Sequence, residues 1–185
     1  MKYFAIVILI SLGLNSDNPK LVPVKVTREI TVSLPESFQP LSEDEIRRKY
    51  SAARRPIVSF ASQDQKTDFS VNIFTSTWKQ DDIELLQSFY RSSISNLYDS
   101  VSFIKEEIKE INDRRFIVFE FISLLNPDPD AVRKQPIRSN YTYMQYCLVN
   151  EKLLLFNLTT SAAQRPNWDT IAEEIMGTIK IKKTL

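Results

Sequence analysis

Residues 141–161, YTYMQYCLVNEKLLLFNLTTS, decide the architecture of this chain. They read as two apolar strands folded back on each other at Asn150-Glu151. On the first, Tyr141, Tyr143 and Cys147 point one way and Met144, Tyr146 and Leu148 the other. On the second, Leu153 and Leu155 oppose Leu154, Phe156 and Leu158. A strand with one wet face alternates apolar with polar, so strands apolar on both faces belong at the centre of a sheet covered on both sides.

The chain around this hairpin is 185 residues long, 43% hydrophobic and 25% charged, which suits one well-filled domain. Lysine and arginine total 24 against 23 acidic residues, a net charge of +1, so no overall field draws it to nucleic acid. There is no histidine, which removes the usual general base at neutral pH and the commonest ligand of zinc, copper and non-haem iron. A single cysteine, Cys147, excludes an internal disulfide, a Cys-x-x-Cys redox pair and a thiolate cluster. Its mid-strand position reads as a small buried core residue. Only Gly13 and Gly177 are glycines, and phosphate-cradling or dinucleotide-binding loops are therefore absent. No cofactor is expected.

At the N-terminus, Met1-Lys2-Tyr3 places one charge before the apolar run Phe4–Leu14, and polar residues follow. That order describes a secretory signal over residues 1–16, cleaved near Ser16, and the run is too short for a membrane span. The expected mature chain, 17–185, is one domain in the periplasm or outside the cell, with no stable span after cleavage. No cysteine follows the run to carry a lipid anchor. A buried first strand and an uncleaved anchor are the alternatives.

Along the chain, Leu21–Leu34 has a period-two apolar pattern and is expected to be one bent strand. Ser42 with Glu45 forms a capping box opening a helix over Glu43–Tyr50. Arg47, Arg48, Lys49, Arg54 and Arg55 cluster around its end, either as cations offsetting the helix dipole, the commoner explanation, or as a binding patch for an anionic partner. Ile57–Ser62 and Phe69–Thr77 make a hairpin, and Asp81 is expected to cap a helix through Tyr98 with Ile83, Leu86, Phe89, Tyr90, Ile94 and Leu97 on its core side. Val101–Ile111 is read as an edge strand because its charges discourage pairing with another chain, turning at Asn112-Asp113 into the interior strand Arg114–Leu125. Asn126–Asn140 is a long irregular loop with three prolines. Pro166 and Asn167 introduce a last helix ended by Gly177, before a short edge strand over Thr178–Lys182. The fold class is α+β: an α/β/α sandwich with a central antiparallel sheet of about six to seven strands flanked by three helices.

Catalytic patterns fail one by one. Without histidine no Ser/His/Asp or Cys/His system exists. Ser-x-x-Lys occurs at Ser76/Lys79 and Ser102/Lys105, but at strand ends, where an offset of three puts the two side chains on opposite faces. Asn126, Asp128 and Asp130 have the spacing of a calcium loop's first ligands, yet Ala131 and Ile137 stand where glycine and the bidentate glutamate belong. Asn-x-Thr at Asn140 and Asn157 matters only in a eukaryotic secretory pathway.

Particular stretches resemble the PsbP-like superfamily. They are Ile30–Phe38 (ITVSLPESF), Glu110–Phe116 (EINDRRF) leading into an apolar strand, Tyr143-Met-Gln-Tyr146 with its hairpin, and the Trp168 helix running into Ile179-Lys-Ile181. The resemblance covers nearly all of the expected mature chain as pattern and topology. It implies an α/β/α sandwich whose members act as binding or assembly factors without a shared catalytic site. The expected function is a non-enzymatic binding or accessory protein of a bacterial envelope, holding a protein or small-molecule partner, with contacts at Arg133, Lys134, Arg138, Tyr141 and Tyr143. A carboxylate-based, cation-assisted hydrolase and a cytosolic chaperone-like adaptor are the competing readings.

Overall fold

The computed structural model describes residues 18–52, 55–127, 136–183 and 185. The expected signal segment, Arg54 and most of the 126–140 loop, including Asp128 and Asp130, lie outside the described residues. The described chain runs β1 (Leu21–Lys25), β2 (Ile30–Pro35), β3 (Gln39–Pro40), α1 (Glu43–Lys49), β4 (Val58–Ala61), β5 (Asp68–Thr75), α2 (Ile83–Ser95), β6 (Ser100–Ile111), β7 (Arg114–Leu125), β8 (Arg138–Val149), β9 (Lys152–Ser161), α3 (Arg165–Gly177) and β10 (Lys180–Ile181). Seven strands form the main sheet in the order β3-β4-β5-β9-β8-β7-β6, and a second sheet has the order β1-β2-β10. Every pairing in both is antiparallel.

The α+β sandwich expected from the sequence is the one observed, and the β8–β9 pair lies at its centre. Alternation along these strands sends Tyr141, Tyr143, Cys147, Leu154, Phe156 and Leu158 to one face. There they pack with Ile30, Val32 and Leu34 of β2 and Ile171, Ala172, Ile175 and Met176 of α3. Tyr146, Leu148 and Leu153 go to the other face, against Ile83, Leu86 and Ile94 of α2. Cys147 is buried on the α3 face, and burial pushes its thiol up to about 12, which keeps it protonated and unreactive.

Local chemistry sets the ends of the elements. The Ser42–Glu45 capping box forms as the sequence predicts, with each side chain bonding the other residue's backbone N–H. Asn112, Asp113 and Asn150 adopt positive φ of 48°, 62° and 54° at the two long hairpin turns, a conformation that Asn and Asp tolerate where β-branched residues do not. β6 is the sheet edge, and a register shift between Phe103 and Lys105 interrupts its ladder, blunting it further.

Three expectations need correction. Leu21–Leu34 is two strands rather than one: Thr27 Oγ1 accepts from the backbone N–H groups of Glu29 and Ile30, closing a tight turn that pairs Val22 with Leu34. A period-two pattern is the same for one bent strand and for two short paired ones. The helix expected from Asp81 begins at Ile83 after a short 3-10 turn, and Asp82 accepts from the Lys79 N–H. It ends at Ser95, and Phe89 and Leu97, expected in the core, are exposed.

Phe156 is fully buried on β9 with its ring 6.2 Å from that of Phe116. Phe156→Ala should lower unfolding stability by about 3–5 kcal/mol. In urea this appears as a lower midpoint with an unchanged slope, and a loss near zero would show that the central strand is not the core described.

Candidate functional site

Of the residues expected to make contacts, Arg133 and Lys134 lie outside the described residues. Arg138 opens β8 and is exposed. Tyr141 and Tyr143 are 0% and 1% exposed, so their side chains are core groups and not surface contacts. The cause is alternation, which turns both toward α3. The Tyr141 hydroxyl donates to Glu120 Oε1 at 3.1 Å, and Lys105 Nζ lies 3.9 Å from Glu120 Oε2. Burial, followed by the Glu120 charge, drives the Tyr141 hydroxyl well above its ordinary range. Lys105 and Lys109 both donate to Glu173 of α3, at 3.0 and 2.9 Å, fastening that helix to the β6 edge. This is a clamp rather than a site.

Those bonds, from Lys109 and then Lys105, hold the Glu173 carboxyl below its ordinary value of 4.5. A depressed carboxylate adds stability above its unfolded value, and the gain is lost as pH falls through the lower folded one. Glu173→Gln should therefore lower the urea midpoint at neutral pH, with parent and variant converging well below pH 4.5. A pH-independent difference would count against the clamp.

The site emerges on the opposite face. There the cross-strand rows are Met144–Asn157–Ser70, Tyr146–Leu155–Asn72 and Leu148–Leu153–Phe74, taken across β8, β9 and β5. α2 covers the β8 end of these rows, where Tyr90 stacks on Tyr146 at 4.1 Å between centroids. The β9–β5 end is left open, contrary to the expectation that the central strands are covered on both sides. The result is a groove of about 430 Å³, within the usual size range of ligand sites. Its α2-side wall is Tyr90, Leu97, Tyr98, Met144 and Tyr146; Leu155 and Asn157 form the floor; Tyr50, Ser70, Asn72 and Phe74 complete the far side.

All of these lining residues are uncharged. The polar ones are mostly committed: Asn72 Nδ2 donates to the Arg55 carbonyl at 3.1 Å, and Tyr50 Oη shares a hydrogen bond with Ser59 Oγ. Asn157 Nδ2 donates to Thr159 Oγ1 at 3.0 Å, while its Oδ1 is buried with no hydrogen-bond partner. Lys49 and Asp68 pair at 2.5 Å beside the Tyr50 end, where burial raises the Asp68 carboxyl and the lysine opposes that rise. Such a groove can bury apolar surface and satisfy a donor. Among the described residues no group of three His, Cys, Asp or Glu side chains is placed to hold a metal ion. The sequence did contain a signal for this site: Ser70, Asn72 and Asn157 interrupt strands that are otherwise apolar, all on one face.

No family model matches the sequence, and no curated protein matches it. Solved structures do. Cyanobacterial PsbP (CyanoP) from Synechocystis sp. PCC 6803 superposes with a TM-score of 0.62 at 11% identity, over 91% of this chain and 95% of that one. LpqN of Mycobacterium tuberculosis, described as involved in cell envelope biogenesis, gives 0.57 at 9% identity over 88% and 91%. The Ran-binding protein Mog1p of Saccharomyces cerevisiae gives 0.57 at 10% identity over 90% and 97%. The chain has the PsbP-like fold that these three structures share.

Proposed function

We propose that this chain is a non-enzymatic binding or accessory protein of a bacterial envelope, exported by its N-terminal segment, and that the groove beside α2 holds its partner. The observation that carries this reading is the half-covered sheet face: apolar residues of central strands stand open to solvent in a trough lined by uncharged side chains. A fold normally covers such strands, so an uncovered one fits a surface awaiting an occupant. The buried carboxylate, Glu120, is engaged by Lys105 and Tyr141, which favours binding over carboxylate-based hydrolysis. LpqN's association with cell envelope biogenesis and Mog1p's Ran binding are examples of such work on this fold. Export is supported by the order of charge, apolar run and polar break in residues 1–16.

A photoreactive residue placed at Leu97, on the groove wall, should give one reproducible cross-linked product in cells, whereas the same residue at Lys180, on β10, should not. Intact mass of the recovered chain should show cleavage near Ser16. Equal cross-linking from both positions would overturn the site, and an uncut cytosolic chain would overturn the compartment.

A further inference from the structure

The small sheet carries a concentration of positive charge that its own pairing does not need. Its strands and their connecting turn, residues 21–35 with 178–183, hold five cations, Lys25, Arg28, Lys180, Lys182 and Lys183, and one acid, Glu29. That is a net +4 on a chain whose whole is +1. All five cations are exposed, and among the described residues none of their side chains has an ion-pair or hydrogen-bond partner. By contrast, Arg91 is answered by Glu106, Arg115 by Glu84, and Lys105 and Lys109 by Glu173.

Strand register brings these cations together. Ile30, Val32 and Leu34 turn into the core, so Thr31 and Ser33 between them face outward. Thr31 pairs with Lys25 on one side and Lys180 on the other, which sets two lysines in one outward row, about 10 Å apart at the usual strand spacing. Lys182, two residues on, shares that face, and its backbone N–H donates to the Glu29 carbonyl at 2.9 Å. Lys25, Arg28, Thr31 and Lys182 border an open depression of about 610 Å³. The Glu29 carboxylate accepts from the Thr27 hydroxyl at 3.2 Å and is not within ion-pair distance of any of the five cations. Like charges on one sheet face repel, and neutral side chains would keep the same backbone ladder, so the fold gains nothing from this arrangement.

Two observations select the occupant. One carboxylate cannot answer three cations around a single depression, whereas a phosphate offers several charged oxygens, and a plane of phosphates answers the whole flat face. Position is the second. Six residues separate the end of the apolar run at Leu14 from Leu21, where β1 begins, and fully extended they reach about 20 Å. When that run meets a bilayer, the small sheet is tied beside it.

We infer that the outer face of the β1-β2-β10 sheet docks on an anionic phospholipid surface, with Lys25, Lys180, Lys182 and Arg28 against the headgroup phosphates. Clusters of this size are drawn to anionic membranes over about a Debye length. The groove beside α2 lies on the opposite side of the main sheet, so a docked chain keeps it open.

The test is co-sedimentation of the chain recovered from cells with vesicles of phosphatidylglycerol and phosphatidylcholine in equal parts, and with vesicles of phosphatidylcholine alone. Binding to the anionic vesicles should be at least about tenfold tighter and should be lost in about 0.5 M salt. Lys25→Gln combined with Lys180→Gln should weaken it at least about tenfold, and Lys182→Gln alone should weaken it in the same direction. The urea midpoint of the double variant should be no lower than that of the parent, which separates lost binding from lost folding. Lys79→Gln combined with Arg48→Gln removes the same charge from exposed positions outside the face and should leave binding unchanged. Equal binding to both vesicles, or equal loss in the two double variants, would overturn the inference. Release by inorganic pyrophosphate or by polyglutamate, at charge concentrations matching the lipid, would overturn the lipid occupant in favour of a soluble phosphate or an acidic protein.

Discussion

The fold depends on one demand: β8 and β9 are apolar on both faces and occupy the middle of the main sheet, so both faces must be kept from water. On one side the demand is fully met. α3 and the small β1-β2-β10 sheet close over Tyr141, Tyr143, Phe156 and Leu158, and the clamp from Lys105 and Lys109 to Glu173 holds the lid at its β6 side. On the other side α2 covers only part of the surface. The asymmetry follows from the length and number of covering elements, since one helix of 13 residues cannot shield a face seven strands wide.

How much was legible in advance follows the same division. Hairpins were readable because their signals are local: Asn112-Asp113 and Asn150-Glu151 sit between long apolar runs, and the charges on Ser100–Ile111 mark an edge. The β1–β2 turn was not readable, because it rests on one threonine hydroxyl taking two backbone donors, and nothing in the apolar period announces that. The groove is not legible in the sequence for a different reason. Arg133, Lys134, Arg138, Tyr141 and Tyr143 are neighbours in sequence, whereas strand alternation turns the two tyrosines into the core. The groove is assembled from Tyr50, β5, α2, β8 and β9, and only strand register brings these together. Ser70, Asn72 and Asn157 share a face because of pairings between distant strands.

Polarity inside the sandwich is spent unevenly. On the α3 face, Glu120 is tied to Tyr141 and Lys105, so the network is closed on itself and holds layers in place. On the α2 face the buried Asn157 Oδ1 has no protein donor. A buried acceptor without a partner costs the fold about 1–3 kcal/mol. The α3 face likewise keeps Tyr143 Oη and Gln145 Oε1 buried without a partner, so both faces hold polar atoms that the protein itself leaves unsatisfied.

The pairing of β10 with β2 joins the last strand of the chain to one of the first. Asn112 and Arg114 add to this by donating to the carbonyls of Ile179 and Ile181. During synthesis, therefore, Ile30, Val32 and Leu34 have no completed layer to enter until α3 and β10 have left the ribosome. The closed half of the core is a late, all-at-once event dominated by contacts distant in sequence, which makes folding slow. Until those last elements emerge, that half of the core stays open, the state in which a polypeptide can still be threaded through a narrow passage.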